Sequence, residues 1–152
     1  MHPTCVAWIG DGAYFWENDP ERGLQWAELM QKRGAPIATP AVVGAAIDPG
    51  WCLDLTTQAS LDVIRKAFEE LQVLTAASGT TLVGNQDFWR RERDNAVLNY
   101  LHKSMPEPKY QTVRGIMTEG GPLYDGAHIL SKTHVQWAVR DPACIKGVFR
   151  VA

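Results

Sequence analysis

Residues 10–34, GDGAYFWENDPERGLQWAELMQKRG, constrain the fold more than any other stretch of the chain. Two glycines precede three consecutive aromatics, Tyr14, Phe15 and Trp16. Glycine frees the backbone for a turn, and the aromatics favour an extended strand. A turn and then a short strand are expected, the strand at Ala13 to Trp16. Asn18 or Asp19 is placed to cap a helix, Pro20 suits its first position, and Gly34 can end it. Leu24, Ala27 and Met30 then share one helical face. Strand alternation sends Tyr14 and Phe15 to opposite faces, so one of the two is expected to point into a cleft rather than a core.

The rest of the chain alternates helical and extended patterns. TPAVVGAAI reads as a buried strand, DPG as a turn, and WCLDL as a second extended piece. A helix is expected over 60–78, with Leu61, Ile64, Phe68 and Leu71 as its apolar stripe and Gly79 closing it. A second helix is expected over 86–104, with RRER on the wet side and Val97, Leu98 and Leu101 on the dry side. TVRGIM reads as a strand, TEGGPLYDGAHILSK as a glycine-rich loop, and THVQWAV and IKGVFRV as two strands around an RDPAC turn. No repeat, low-complexity tract or linker interrupts the pattern, and 152 residues read as a single domain, 1–152.

Composition excludes more than it selects. A net charge of −2 gives no general attraction to nucleic acid or membrane. No apolar run is long enough for a membrane span, and the start lacks the basic and apolar regions of a signal peptide. Cys5, Cys52 and Cys144 are odd in number and far apart, which fits a reducing, cytoplasmic setting better than a disulfide framework. None of them sits in a CxxC or near a histidine pair, so no metal is expected. No P-loop, GxGxxG, HExxH or nucleophile elbow is present. Six tryptophans are many for this length, and one or two are expected to line a site. Gln136, on an apolar strand, needs buried partners or a pocket, and His134 shares its face at spacing two.

The order and spacing of these segments resemble the ADP-ribosyltransferase superfamily, in its poly(ADP-ribose) polymerase and diphtheria-toxin-like branch. GDGAYFWENDPERGLQWA is similar to that family's tyrosine strand and following helix. AVVGAAIDPGWCLDL is similar to the next strand. HVQWAVRDPACIKGVFRV is similar to the last two, with Gln136 where the family has a glutamate. An uncharacterised bacterial group with a YFWE motif is similar over nearly the whole length.

The resemblance implies an α/β (α+β) fold of two small antiparallel sheets that form a cleft, with flanking helices. It implies NAD as substrate, with Tyr14 stacking on nicotinamide and Gln136 meeting the nicotinamide ribose as the catalytic pair. Gly12, Tyr14, Phe15, Ala27 and His134 are implied to border NAD. The implied partners are a macromolecular acceptor, protein or nucleic acid, and an antitoxin or a second copy of the chain. The implied role is a bacterial toxin or phage-defence factor. The family's histidine strand, bearing His-Gly-Thr, would precede the tyrosine strand. Here only His2-Pro3-Thr4 echoes it, and proline lacks the N–H that the glycine supplies. The implied alternative is a catalytically impaired module of the same fold that binds a nucleotide or a partner.

Outside that frame, Arg90, Arg91 and Arg93 are expected to form a solvated helix face, with phosphate contact as the alternative. Glu119 and Tyr124, on the glycine-rich loop, are candidates for touching an acceptor. His102 and His128 are expected at the surface or in helix caps.

Overall fold

A computed structural model describes residues 7–85 and 91–151. The first strand, β1 (Ala13–Trp16), runs straight into α1 (Pro20–Lys32). The Asp19 side chain accepts from the Arg22 N–H, Pro20 occupies the first turn, and Gly34 follows the helix with φ near +90°. The inward face of α1 is turned away from the expected one. Arg22 and Gly23 are buried, with Trp26 and Ala27 beside them, whereas Leu24 is exposed. The reason is local. Gly23 faces Trp16 and Val42, and Arg22 must reach a buried carboxylate.

Two further strands, β2 (Val43–Ile47) and β3 (Cys52–Asp54), precede α2 (Gln58–Ala77) and α3 (Glu92–Ser104). The α2 stripe is kept at Ile64, Phe68 and Leu71, which are half-buried, but not at Leu61. Val63 and Ile64 pack on the core and Ala67 is buried, whereas Leu61 is 41% exposed. Val97 and Leu98 of α3 are buried as expected. Its first turn is capped from outside, because the Asn85 Oδ1 accepts from the Arg93 and Asp94 N–H groups. The chain then forms β4 (Thr112–Met117), β5 (His134–Val139) and β6 (Ile145–Arg150).

The protein is mixed α and β, with three helices and two small sheets among the described residues. The larger sheet has the order β1-β5-β4-β3, and β2 pairs with β6 in a two-stranded ribbon. One expectation is corrected. The larger sheet is not wholly antiparallel, because β3 runs parallel to β4. Between those strands lie both α2 and α3, and a helical crossover carries the chain back to the end of the sheet where β3 began, which a hairpin cannot do. One face of the larger sheet carries the core: Leu53, Val113, Met117 and Ala138 meet Leu98, with Ile64 and Leu101 packed around them. The other face looks toward the ribbon. No helix among the described residues is long and apolar enough to cross a membrane.

Candidate functional site

The register of β1 on β5 decides which side chains meet. Tyr14 lies opposite Ala138, Phe15 opposite Trp137, and Trp16 opposite Gln136. Directly opposed residues share a face, so Tyr14, Trp16, His134 and Gln136 stand together on the core side. Phe15 and Trp137 stand on the side of the ribbon. Tyr14 is diagonal to Gln136, a separation of roughly 7–8 Å in an antiparallel pair. The two strands are neighbours in one sheet, so this closeness is cross-strand and does not span opposed sheets.

The turn before β1 is built to hold the tyrosine. The Tyr14 hydroxyl donates to the Gly10 carbonyl at 2.6 Å and accepts from the Ile9 N–H at 3.0 Å. Gly12 has φ near +154°, and a Cβ there would lie 2.8 Å from the Val139 carbonyl oxygen. Only glycine allows β1 to enter the sheet at this point.

On the core side, Gly12, Tyr14, Trp16, Trp26, Glu119 and Gln136 line a chamber of about 250 Å³. Its polar groups are unusually placed. Gln136 is 6% exposed, yet its Oε1 has no hydrogen-bond partner among the described residues. The Trp16 Nε1, on the residue directly opposite, has none either. Buried polar atoms are nearly always paired, so these two cross-strand neighbours that line the chamber leave an acceptor and a donor unused. Glu119 is 2% exposed, and its Oε2 lies 2.6 Å from the Arg22 Nη2. Beside it, the His134 Nδ1 lies 2.8 Å from the Lys132 carbonyl, so that nitrogen must be the donor. The His134 Nε2 is 3.9 Å from the Glu119 Oε1 and otherwise unpartnered. Burial pushes the His134 pKa down and favours the neutral ring.

On the ribbon side lies a chamber of about 910 Å³. Phe15, Ala27, Trp137 and Phe149 border it, together with Glu17 and Arg114. The Arg114 guanidinium donates to both Glu17 oxygens, at 2.7 and 3.0 Å, and to the Asp54 Oδ2 at 3.4 Å. The Trp137 indole N–H donates to Glu17 at 2.7 Å. The Arg114 hydrogen bonds hold the Glu17 carboxyl below its ordinary pKa. Tyr14 and Trp16 of the edge strand β1, together with Trp26, border both chambers, so the two adjoin at that edge.

Of the residues expected from the sequence, Gly12, Tyr14 and Gln136 converge on the small chamber, with His134 behind it. Phe15 and Ala27 belong to the large chamber. Glu119 is not a surface loop residue but a buried chamber residue, whereas Tyr124 is 63% exposed. The arginines do not form a free basic face. Arg91 stacks 4.8 Å from the Trp8 ring centroid, the Arg93 Nε donates to the Val83 carbonyl, and Arg90 lies outside the described residues. His2, Thr4 and Cys5 lie outside them too. No group of His, Cys, Asp or Glu able to hold a metal occurs among the described residues.

Sequence reasoning raised the Tyr14-Phe15-Trp16 run but kept only its first two residues for the site; it did not single out Trp26, and it missed Arg22, Glu17 and Arg114. A charged residue inside the apolar strand TVRGIM was the available signal for Arg114. Arg22 and Trp26, four residues apart on α1, share a face with Ala27 close by.

No protein-family model matches the chain, and no curated protein or solved structure matches it significantly.

Proposed function

We propose that this protein is an ADP-ribosyltransferase-like enzyme that transfers ADP-ribose from NAD to a macromolecular acceptor. The observation that carries the proposal is the pair of adjoining chambers that share three aromatic residues, the smaller one lined by Gln136. The small chamber suits a single aromatic ring. The large one suits the remainder of a dinucleotide, since ligand sites commonly enclose 300–1,000 Å³.

In this reading nicotinamide stacks against Tyr14, and the Gln136 Oε1 accepts a hydrogen bond from a hydroxyl of its ribose. The N-glycosidic bond breaks, its electron pair leaves with nicotinamide, and the pyridinium nitrogen becomes neutral. The acceptor nucleophile attacks the anomeric carbon and gives up its proton. The chain's contribution is to hold the ribose and the leaving ring in fixed geometry while positive charge builds on the sugar.

A second reading, a nucleotide- or partner-binding module, is favoured by the neutrality of Gln136. An amide stabilises a developing oxocarbenium ion less than a carboxylate does.

Nicotinamide release and mass spectrometry of candidate acceptors after incubation with NAD separate the two. The transferase reading expects chain-dependent release and an acceptor mass shift, both reduced about 10²-fold by Tyr14→Ala or Gln136→Ala. NAD binding without release supports the binding module. Absence of NAD binding removes the transferase reading and leaves, of the second, only a module that binds another nucleotide or a partner. A toxin or phage-defence role, with an antitoxin or a second copy as partner, belongs to the same reading and depends on the acceptor found.

A further inference from the structure

We infer that the small chamber is selective for an aromatic organic cation, with Glu119 supplying the charge that recognises it. Three features support this. The first is the wall. Tyr14, Trp16 and Trp26 present aromatic rings to one small space, with Trp16 and Trp26 tilted 45° at 6.1 Å between centroids. Aromatic faces carry negative potential and attract cations most strongly when water is excluded. The chain already uses an indole in this way, with the Arg91 guanidinium over Trp8.

The second is the direction of the buried ion pair. Glu119 lines the chamber and Arg22 does not. The pair is neutral as a whole, but its negative end faces the chamber and its positive end is set back in α1. Arg91 does not line the chamber either. The third is Gln136, which lines the same wall with a neutral amide and brings no positive charge to it. The neutral form of His134 adds no opposing charge.

The choice of cation rests on the transferase reading. A nicotinamide ring carries a positive charge while it is joined to ribose and none once released. A chamber of this kind therefore holds the reactant ring more tightly than the free product.

The test is an NMR titration of the full chain, following the indole N–H signals, with 1-methylnicotinamide chloride and with uncharged nicotinamide. The expected result is about tenfold tighter binding of the cation, localised to Trp16 and Trp26. Glu119→Gln is expected to bring the two within about threefold. That variant leaves Arg22 without its partner, so Trp26→Leu serves as the second, removing one aromatic wall while the ion pair stays intact. It is expected to weaken the cation more than the neutral ring. Equal or tighter binding of nicotinamide by the wild-type chain overturns the inference, as does a preference that survives Trp26→Leu unchanged. Cation preference without NAD binding would keep this inference and remove the transferase reading. NAD turnover without cation preference would do the reverse.

Discussion

Two glycines of the site region hold their places for different reasons, and substitution distinguishes them. At Gly12 an added Cβ meets the Val139 backbone, which cannot move without parting β1 from β5. Gly12→Ala is expected to destabilise the protein by about 2 kcal/mol, because both the dihedral and the contact are unfavourable. At Gly23 the nearest atoms to an added Cβ are side-chain carbons of Trp16 and Val42 at 3.4 and 3.7 Å, ordinary contact distances. Gly23→Ala replaces a poor helix former inside α1 and is expected to stabilise by about 0.5–1 kcal/mol. Thermal unfolding of the two variants checks both signs. A destabilised Gly23→Ala would mean that α1 sits closer to β1 than these distances give.

The elements of the larger sheet are joined by one polar latch. Glu17 follows β1, Arg114 is on β4, Trp137 on β5 and Asp54 on β3, so the cluster ties all four strands on the ribbon side. Its titration gives the sheet a pH dependence. The Glu17 carboxyl is depressed chiefly by the Arg114 hydrogen bonds. At Asp54 burial opposes ionisation, but bonds from the Thr56 N–H and hydroxyl and from Arg114 outweigh it. Groups with a depressed folded-state carboxyl pKa add stability above their unfolded values and lose it as the pH falls through the folded ones.

His134 and His102 act at higher pH. Burial depresses both, so the unfolded chain takes up protons first and stability begins to fall below the ordinary histidine value of 6.5. Denaturant midpoints measured against pH are therefore expected to fall in two limbs, one below about 6.5 and one below about 4.5. Glu17→Gln flattens the lower limb and leaves the upper one. An unchanged lower limb would show that the latch contributes nothing to it.

At the scale of the whole molecule, the distribution of charge decides between partners. The net charge is −2, and two of the three arginines that a basic-patch reading relies on, Arg91 and Arg93, are engaged within the chain. Arg91 lies over Trp8, and Arg93 binds the Val83 carbonyl. A gel-shift assay is expected to show no complex with single- or double-stranded nucleic acid whose affinity falls steeply between low and moderate salt. Such a complex would require several phosphate contacts and hence several free cations. The molecule instead offers two chambers that adjoin at the edge strand β1 and share three aromatic residues. The larger of them opens beside the β2–β6 ribbon, where Phe149 is 57% exposed.

The sequence by itself determined the elements whose signals are local. The strand at Ala13–Trp16, the cap and proline that start α1, and the strands TVRGIM and HVQWAV each follow from neighbours within a few residues, and the structure places them there. Alternation along β1 was equally legible, so the separation of Tyr14 from Phe15 needed no tertiary information. Only the tertiary structure decided what those faces meet. The inward side of α1 turned about its axis because Arg22 reaches Glu119, and on α2 the expected stripe lost only its first member, Leu61, to solvent. The parallel pairing of β3 with β4 depends on a crossover through two helices, which no short window contains. Glu119 is the clearest case. Its sequence neighbours are glycines and a proline, and they describe a surface loop. A buried guanidinium 97 positions away makes it a chamber wall, because a buried charge is tolerable only where an opposite charge meets it.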